Sequence, residues 1–434
     1  MCAATPSSSN LPREAAGHDV RPSDIAVGVI IGRSSEFFDF FVFAIASVII
    51  FPHRYFSFAD PLTATLWSFA VFALAFLARP LGTALFTVID RRYGKGTKLT
   101  LSLMILGTST VGMGLIPSYD QIGAASIAVL CLLRIGQGIA LGGAWDGLPS
   151  LLNMNAPEDR RGLYVMAPQL GAPVGLIVAS LLFAYLLSNM SQEDFLSWGW
   201  RYPFFVAFAI NVVALFARLR IVVTPEYAQA FEDHELEPTS FRAAIANDGH
   251  TILVGAFVPL ASFALFHMVT VFPLSWIYLY TNETLSNFLV IEALAAACGF
   301  LAIILSGVVA DHIGHRKLLF RCAVAIAIFS LFAPLLLSGN QIGEAVYMII
   351  GFIILGLSFG QSSGAVASLF EPRRRYTGSA NVSDLAWLFG AGFAPLAALA
   401  LSSWLGLPAA GLYLLSGALC TMAALWFARQ LRLR

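Results

Sequence analysis

The sequence predicts an all-α integral membrane protein of twelve transmembrane helices in two six-helix halves. Composition, the distribution of basic residues and an echo between the halves predict it. Of 434 residues, 58% are hydrophobic and only 12% charged, with a mean hydropathy of +0.78. A soluble protein carries about 25% charged residues, so this chain cannot cover a soluble surface. Its formal net charge of +0 offers no field to attract nucleic acid.

A crossing needs about 20 mostly apolar residues. Such stretches fall near 25–51, 61–88, 99–117, 122–149, 162–188, 202–222, 251–280, 286–310, 317–338, 343–369, 378–403 and 409–430. Residues 1–24 read as a disordered cytoplasmic tail. They are rich in Ser, Pro and Ala and lack the basic start and short apolar core of a cleavable signal peptide. The first span then directs insertion. The long polar interruption at 223–250, with Glu226, Glu232, Asp233, Glu235 and Glu237, reads as a solvated cytoplasmic linker. It separates a first six-helix bundle, 25–222, from a second, 251–434.

Orientation follows from Lys and Arg, which favour the cytoplasmic loops. With the N-terminus inside, 20 of the 25 basic residues fall in inner segments, and the outer face keeps Arg54 and Arg201. The other three, Arg33, Arg79 and Arg134, lie within spans. Both termini are therefore expected in the cytoplasm. The segments Asp-Arg-Arg-Tyr-Gly-Lys from Asp90 and Asp-His-Ile-Gly-His-Arg-Lys from Asp311 follow the second and eighth spans. Pro157–Gly162 and Glu371–Gly378 follow the fourth and tenth, and both pairs are offset by about 215 to 220 residues. Repeated halves with a substrate site at their interface recur among transporters. Cys2, Cys131, Cys298, Cys322 and Cys420 are scattered, without a disulfide framework or metal-ligand spacing; they read as small buried hydrophobes.

Ionisable residues at membrane depth mark function. Glu36 and Asp39 are three apart, hence on one helix face. Asp39 lies roughly 21 Å from the inner end of its span, near mid-membrane. Two carboxylates close together in a low dielectric resist simultaneous ionisation, the property that proton coupling needs. The alternative for Glu36 is an internal ion pair with Arg33, one turn earlier. Arg134 lies at a similar depth and stays charged, so Asp39 or Glu36 is expected as its partner. That pair is either an exchanging proton-coupling switch or a static bridge between the first and fourth helices. Arg79 suits bidentate recognition of a carboxylate or an inner-gate bridge to Asp146 or Asp384. Gln137, Gln169, Gln361 and Asn381 can bind a solute or join helices. His267, well inside a span, is a packing residue or a proton relay.

With these residues in view the chain resembles the metabolite:proton symporters of the major facilitator superfamily, the group of α-ketoglutarate, shikimate, citrate and proline/betaine carriers. Ser35–Phe41 resembles the group's E-W-Y-D-F signature, Ala78–Gly82 its R-P-L-G-G and Leu133–Gly143 its R-x-x-Q-G-x-x-x-G-G. Pro168–Gly175, Trp198–Phe204 and Arg375–Gly378 are similarly close, so the likeness runs from about residue 25 to 403. It implies the major facilitator fold and a gate at the loops around Asp90, Arg91 and Gly94 and around Asp311, Gly314 and Arg316. The chain departs from the group's pattern in three places. Arg91 stands where the loop motif has Asp, with Asp90 one place early. Asp146 sits two positions beyond the acid of G-G-E-W-G-G. Ser383 and Asp384 replace Tyr and Gln in helix 11.

The expected activity is secondary active symport of a small organic acid or related metabolite with protons, by alternating access across a bacterial-type inner membrane. Proton coupling falls to Glu36, Asp39 and Arg134. Solute binding falls to Arg79, Gln137, Gln169, Gln361, His267 and Asn381. Gating falls to Asp90, Arg91, Gly94, Asp146, Asp311, Gly314, Arg316 and Asp384. A betaine or proline symporter and a proton-driven exporter are the rival readings. No cofactor is expected beyond the coupling proton, no partner beyond a small acidic or zwitterionic solute and the bilayer, and the monomer suffices. An H-E-x-x-H zinc motif and a P-loop are both missing, which argues against a metalloprotease or an ATP-driven pump.

Overall fold

The computed structural model describes residues 22–144, 152, 156–157, 160–222, 241–338 and 340–431, all as helices and short connections without a strand among them. The predicted tail up to Arg21, Asp146 and linker residues 223–240 lie outside the described residues.

The first helix, α1, runs Pro22–Ile49 and turns through a short helix at Phe51–Tyr55. Asp60 then caps the next helix, accepting from the Thr63 N–H at 3.1 Å. Hydrogen bonds from the Thr63 side chain and backbone hold the Asp60 carboxyl below the ordinary carboxylate range. The helical run Pro61–Leu115, 55 residues, is far longer than a bilayer of about 30 Å requires. Gly94, with φ 81° and ψ 165°, folds it into two crossings, α2 (61–93) and α3 (95–115). Only glycine adopts such a φ freely. The half continues with α4 (Ala124–Gly143), α5 (Arg161–Asn189) and α6 (Tyr202–Val222).

The second half starts with α7 (241–280), built of three helices: Phe241–Phe257, Leu260–Thr270 and Phe272–Tyr280. Its breaks fall beside Pro259 and Pro273, whose missing N–H groups interrupt the ladder. Residues 241–250, read as linker, are helical. Asp248 there pairs with Arg374 at 3.0 Å, which ties this polar extension to the eleventh helix. Then come α8 (Leu285–Ile313), an elbow at Gly314 with φ 85°, and α9 (His315–Leu337). α10 (Gln341–Ala367) breaks at Gly360–Gln361. α11 (372–405) passes through a π-helical turn at Trp387–Gly392, and α12 is Pro408–Leu431.

Ten described helices are long and apolar enough to cross a membrane. One supplies both α2 and α3, and α1 adds the twelfth crossing despite its four charged residues. Leu81, Ile342, Leu412 and Trp404 project outward with 63% to 83% exposure, as a lipid-facing surface requires. Of the described cysteines only Cys322 is buried. Cys131 and Cys298 are half-buried and Cys420 is exposed, because the outer faces of these helices contact lipid and tolerate a thiol.

Within each half, small residues let helix backbones touch. A Cβ on Gly138 of α4 would overlap the Ala75 backbone of α2, and one on Gly82 would overlap Ile139. The second half repeats this between α8 and α10, where a Cβ on Gly356 would lie 2.5 Å from the Gly299 carbonyl. Lipid tails are as apolar as leucine, so close packing of this kind holds membrane helices together. The halves meet along α2–α11 and α5–α8.

Candidate transport site

A buried polar network occupies the middle of the first half. Asp39 of α1 accepts hydrogen bonds from the Thr110 hydroxyl of α3 at 2.5 Å and from Gln137 Nε2 of α4 at 3.4 Å. Gln137 Nε2 also donates to Thr110 Oγ1 at 2.7 Å, while its Oε1 accepts from Arg134 at 2.9 Å. Arg134 is 1% exposed and donates twice, at 3.2 Å each, to the Phe72 carbonyl. Its guanidinium lies 3.7 Å from the Phe43 ring centroid and 4.9 Å from that of Phe72. The expected direct Arg134–carboxylate pair is thus corrected: Gln137 stands between the charges as a neutral bridge. Aromatic faces and a carbonyl compensate the guanidinium instead. Gln137, expected to bind solute, is fully engaged inside this network.

Glu36 lies one turn before Asp39. It pairs with Arg33 of its own helix, and both border a small cleft with Phe37, Phe40, Phe76, Arg79 and Trp387. Arg79 reaches across the halves to Asp384 of α11 at 2.8 Å. The Thr83 hydroxyl donates to the same carboxylate at 2.5 Å. The gate-bridge alternative for Arg79 is therefore the arrangement seen, with Asp384 as partner, and Arg79 also faces the cleft.

The centre, where the halves face one another, is filled by rings. Phe37, Phe40, Phe41 and Phe76 from the first half meet Phe263, Phe266, Phe359 and Trp387 from the second, with centroids about 5 to 6.5 Å apart. His267 lies among them, stacked on Phe40 at 5.5 Å and edge-on to Phe72 at 5.3 Å. Its Nδ1 is 3.4 Å from the Thr270 hydroxyl, and its Nε2 has no hydrogen-bond partner. Phe72 thus links the Arg134 network to the histidine of the other half.

Contacts join the two halves at both ends of the bundle. At the end carrying the Gly94 and Gly314 elbows, Lys98 bridges Asp90 at 3.3 Å and Tyr376 of α11 at 3.1 Å, while Lys95 sits over the Tyr376 ring. Arg91 is exposed beside them, so the acid one place early is the one engaged here. Asp311 of α8 accepts from the Gly162 N–H at 2.5 Å, placing a carboxylate on the N-terminus of α5 across the interface. Gln361 donates to the Gly162 carbonyl at 3.2 Å and to Ser306 at 3.1 Å, and contacts His315 Nδ1 at 2.7 Å. It is a clasp between halves rather than a cavity residue. Arg316 donates to the Leu425 carbonyl. At the opposite end the Tyr278 hydroxyl meets His53 Nε2 at 2.5 Å. Gln169 in α5 and Asn381 in α11, one turn before Asp384, are buried with an unbonded Oε1 and Nδ2 respectively.

Sequence reasoning missed Thr110, Thr83, Lys98, Tyr376 and the His53–Tyr278 contact, none of which is unusual in type. It also missed Glu292, whose signal was plain: a carboxylate within the apolar run Val290-Ile291-Glu292-Ala293-Leu294. Two G-x-S-x-G strings, Gly356–Gly360 and Gly360–Gly364, are present. Both lie in α10, and Ser358 and Ser362 donate to the Leu355 and Phe359 carbonyls. They are turns of a membrane helix, not the exposed strand-to-helix elbow of a hydrolase.

The family model described as "Major Facilitator Superfamily" matches residues 31–384. An Escherichia coli relative, "Inner membrane metabolite transport protein YhjE", is 36% identical, with 94% of each chain covered. The "Shikimate transporter" of the same organism is 27% identical, with 91% of each chain covered. Among solved structures, a proton:xylose symporter superposes with a TM-score of 0.72 at 16% identity, covering 94% of this chain and 95% of the other; that likeness speaks to fold alone. It agrees with the two-half helical fold described above. This multi-pass membrane protein belongs to the major facilitator superfamily.

Proposed function

We propose that the chain is a proton-coupled symporter of a small organic acid or related metabolite, working by alternating access, with the elbow end in the cytoplasm. One observation carries the reading: Asp39, a buried carboxylate, is held by two neutral donors and separated from Arg134 by one amide. Protonating Asp39 would remove the charge that Gln137 and Thr110 now satisfy. Arg134 would then be the unbalanced group of the half, and an anionic solute entering the centre would compensate it. The Arg79–Asp384 bridge and the Asp311 and Gln361 clasps are the contacts that must part for the elbow end to open. The relatives named for metabolite and shikimate transport support this solute class.

The rings around His267 favour a second reading. Aromatic faces attract quaternary ammonium, and Arg79 beside them suits a carboxylate, so a betaine would satisfy both. Relatives named as proline/betaine transporters, 27% identical, agree with it. The experiment is uptake of labelled shikimate, citrate, α-ketoglutarate, proline and glycine betaine into proteoliposomes with an imposed proton gradient. Accumulation of an acid that collapses with the gradient supports the first reading. Accumulation of glycine betaine alone selects the second. Uptake indifferent to the gradient removes proton coupling.

A further inference from the structure

One membrane-embedded carboxylate stands apart from the Asp39 network. Glu292 lies seven residues beyond the start of α8, about 10 Å into the helix, and is 0% exposed. Its Oε2 accepts from the Ser180 hydroxyl of α5 at 2.9 Å, and its Oε1 is buried with no hydrogen-bond partner. Ser180 belongs to the first half and Glu292 to the second, so this bond spans the interface. A small pocket on the same interface is lined by Leu176, one turn before Ser180, and by Gly299, two turns after Glu292.

α8 packs against α5, α7, α9 and α10. α5 presents the Ser180 hydroxyl. Tyr347 of α10 is bonded to the Met268 carbonyl, and Tyr278 of α7 to His53. Glu344, at the start of α10, faces Glu283. Cys322 of α9 is buried against Ala310 and Leu318 near the elbow. Among the described residues, Ser180 is the one side chain recorded as bonding Glu292, and it is neutral. An anion there would have one neutral donor and no cation, an arrangement a low-dielectric wall does not support. A neutral carboxyl suits it.

We propose that Glu292 is a second proton-carrying site, holding a proton while α5 and α8 are closed on each other and passing it to water when they part. The O–H bond of the carboxyl breaks, the electron pair stays on the carboxylate, and water takes the proton. This inference rests on the symport reading above. The test is infrared difference spectroscopy of the whole protein in lipid films, titrated with acid and alkali in H₂O and D₂O. Wild type is expected to show a protonated-carboxyl C=O band that E292Q lacks and that S180A, which keeps the carboxyl but removes its donor, displaces. Unchanged carboxyl bands in E292Q overturn the assignment. Should E292Q not fold, an undisplaced set of bands in S180A overturns it equally. In proteoliposomes, E292Q should lose most gradient-driven accumulation of whichever panel compound wild type concentrates, with a smaller loss of exchange. If wild type ignores the gradient, the symport reading falls. If wild type responds and E292Q responds identically, the Glu292 assignment alone falls.

Discussion

Gln137 and Gln361 are buried amides of α4 and α10, the fourth helix of each half, yet they sit at different depths and do different work. Gln137 sits inside its half, between Arg134 and Asp39. Gln361 reaches out of its half to the Gly162 carbonyl and to His315. The scaffolds repeat, as the Gly94 and Gly314 elbows and the α2–α4 and α8–α10 glycine contacts show, but the charges do not. The first half buries an Arg–Gln–Asp relay, whereas the second presents rings, an imidazole and clasps. In the proposed symport, the duplicated frame would supply the motion and the unequal side chains the coupling.

The contrast breaks most severely at Arg134. Arg134→Met leaves the Phe72 carbonyl, Gln137 and Asp39 without their cationic neighbour. Loss of one partner from a buried charged cluster costs about 3–5 kcal/mol, so thermal unfolding in detergent should drop sharply. A corresponding Gln361→Met change should lower stability less and loosen the elbow end instead. The gate is tested next. Arg79→Met and Asp384→Asn each strand a charge, and the double variant strands none. A double-mutant cycle should give a coupling of about 1–3 kcal/mol, together with faster labelling of cysteines introduced at the elbow end. The smallest effect is expected for Asp311→Asn, which keeps a hydrogen-bond acceptor at the α5 N-terminus but removes its charge. About 1 kcal/mol should be lost, visible as increased amide exchange at Gly162.

Much of this frame was legible in the sequence because the bilayer imposes strict rules. Twenty apolar residues and a basic loop are read in the same way wherever they occur, which fixed the crossings and the two halves. The 241–250 helix was not legible, since its Asn247, Asp248 and His250 read as linker until Arg374 is brought against Asp248. The site was legible in part. Charged residues at membrane depth announced Asp39, Arg79 and Arg134. The neutral Gln137 between two of them depends on side-chain directions that spacing does not specify. Thr110 and Thr83 were invisible, because a threonine in a membrane helix usually bonds its own backbone, as Thr110 also does to Leu106, and spacing gives no sign that either reaches a carboxylate as well.

The most direct measurement is proton-driven solute accumulation by Asp39→Asn beside wild type, with solute exchange at equal pH as the companion assay. The substitution keeps shape and one accepting oxygen while abolishing titration. The account predicts that accumulation above equilibrium vanishes while exchange persists. Accumulation at the wild-type level in the variant would contradict it.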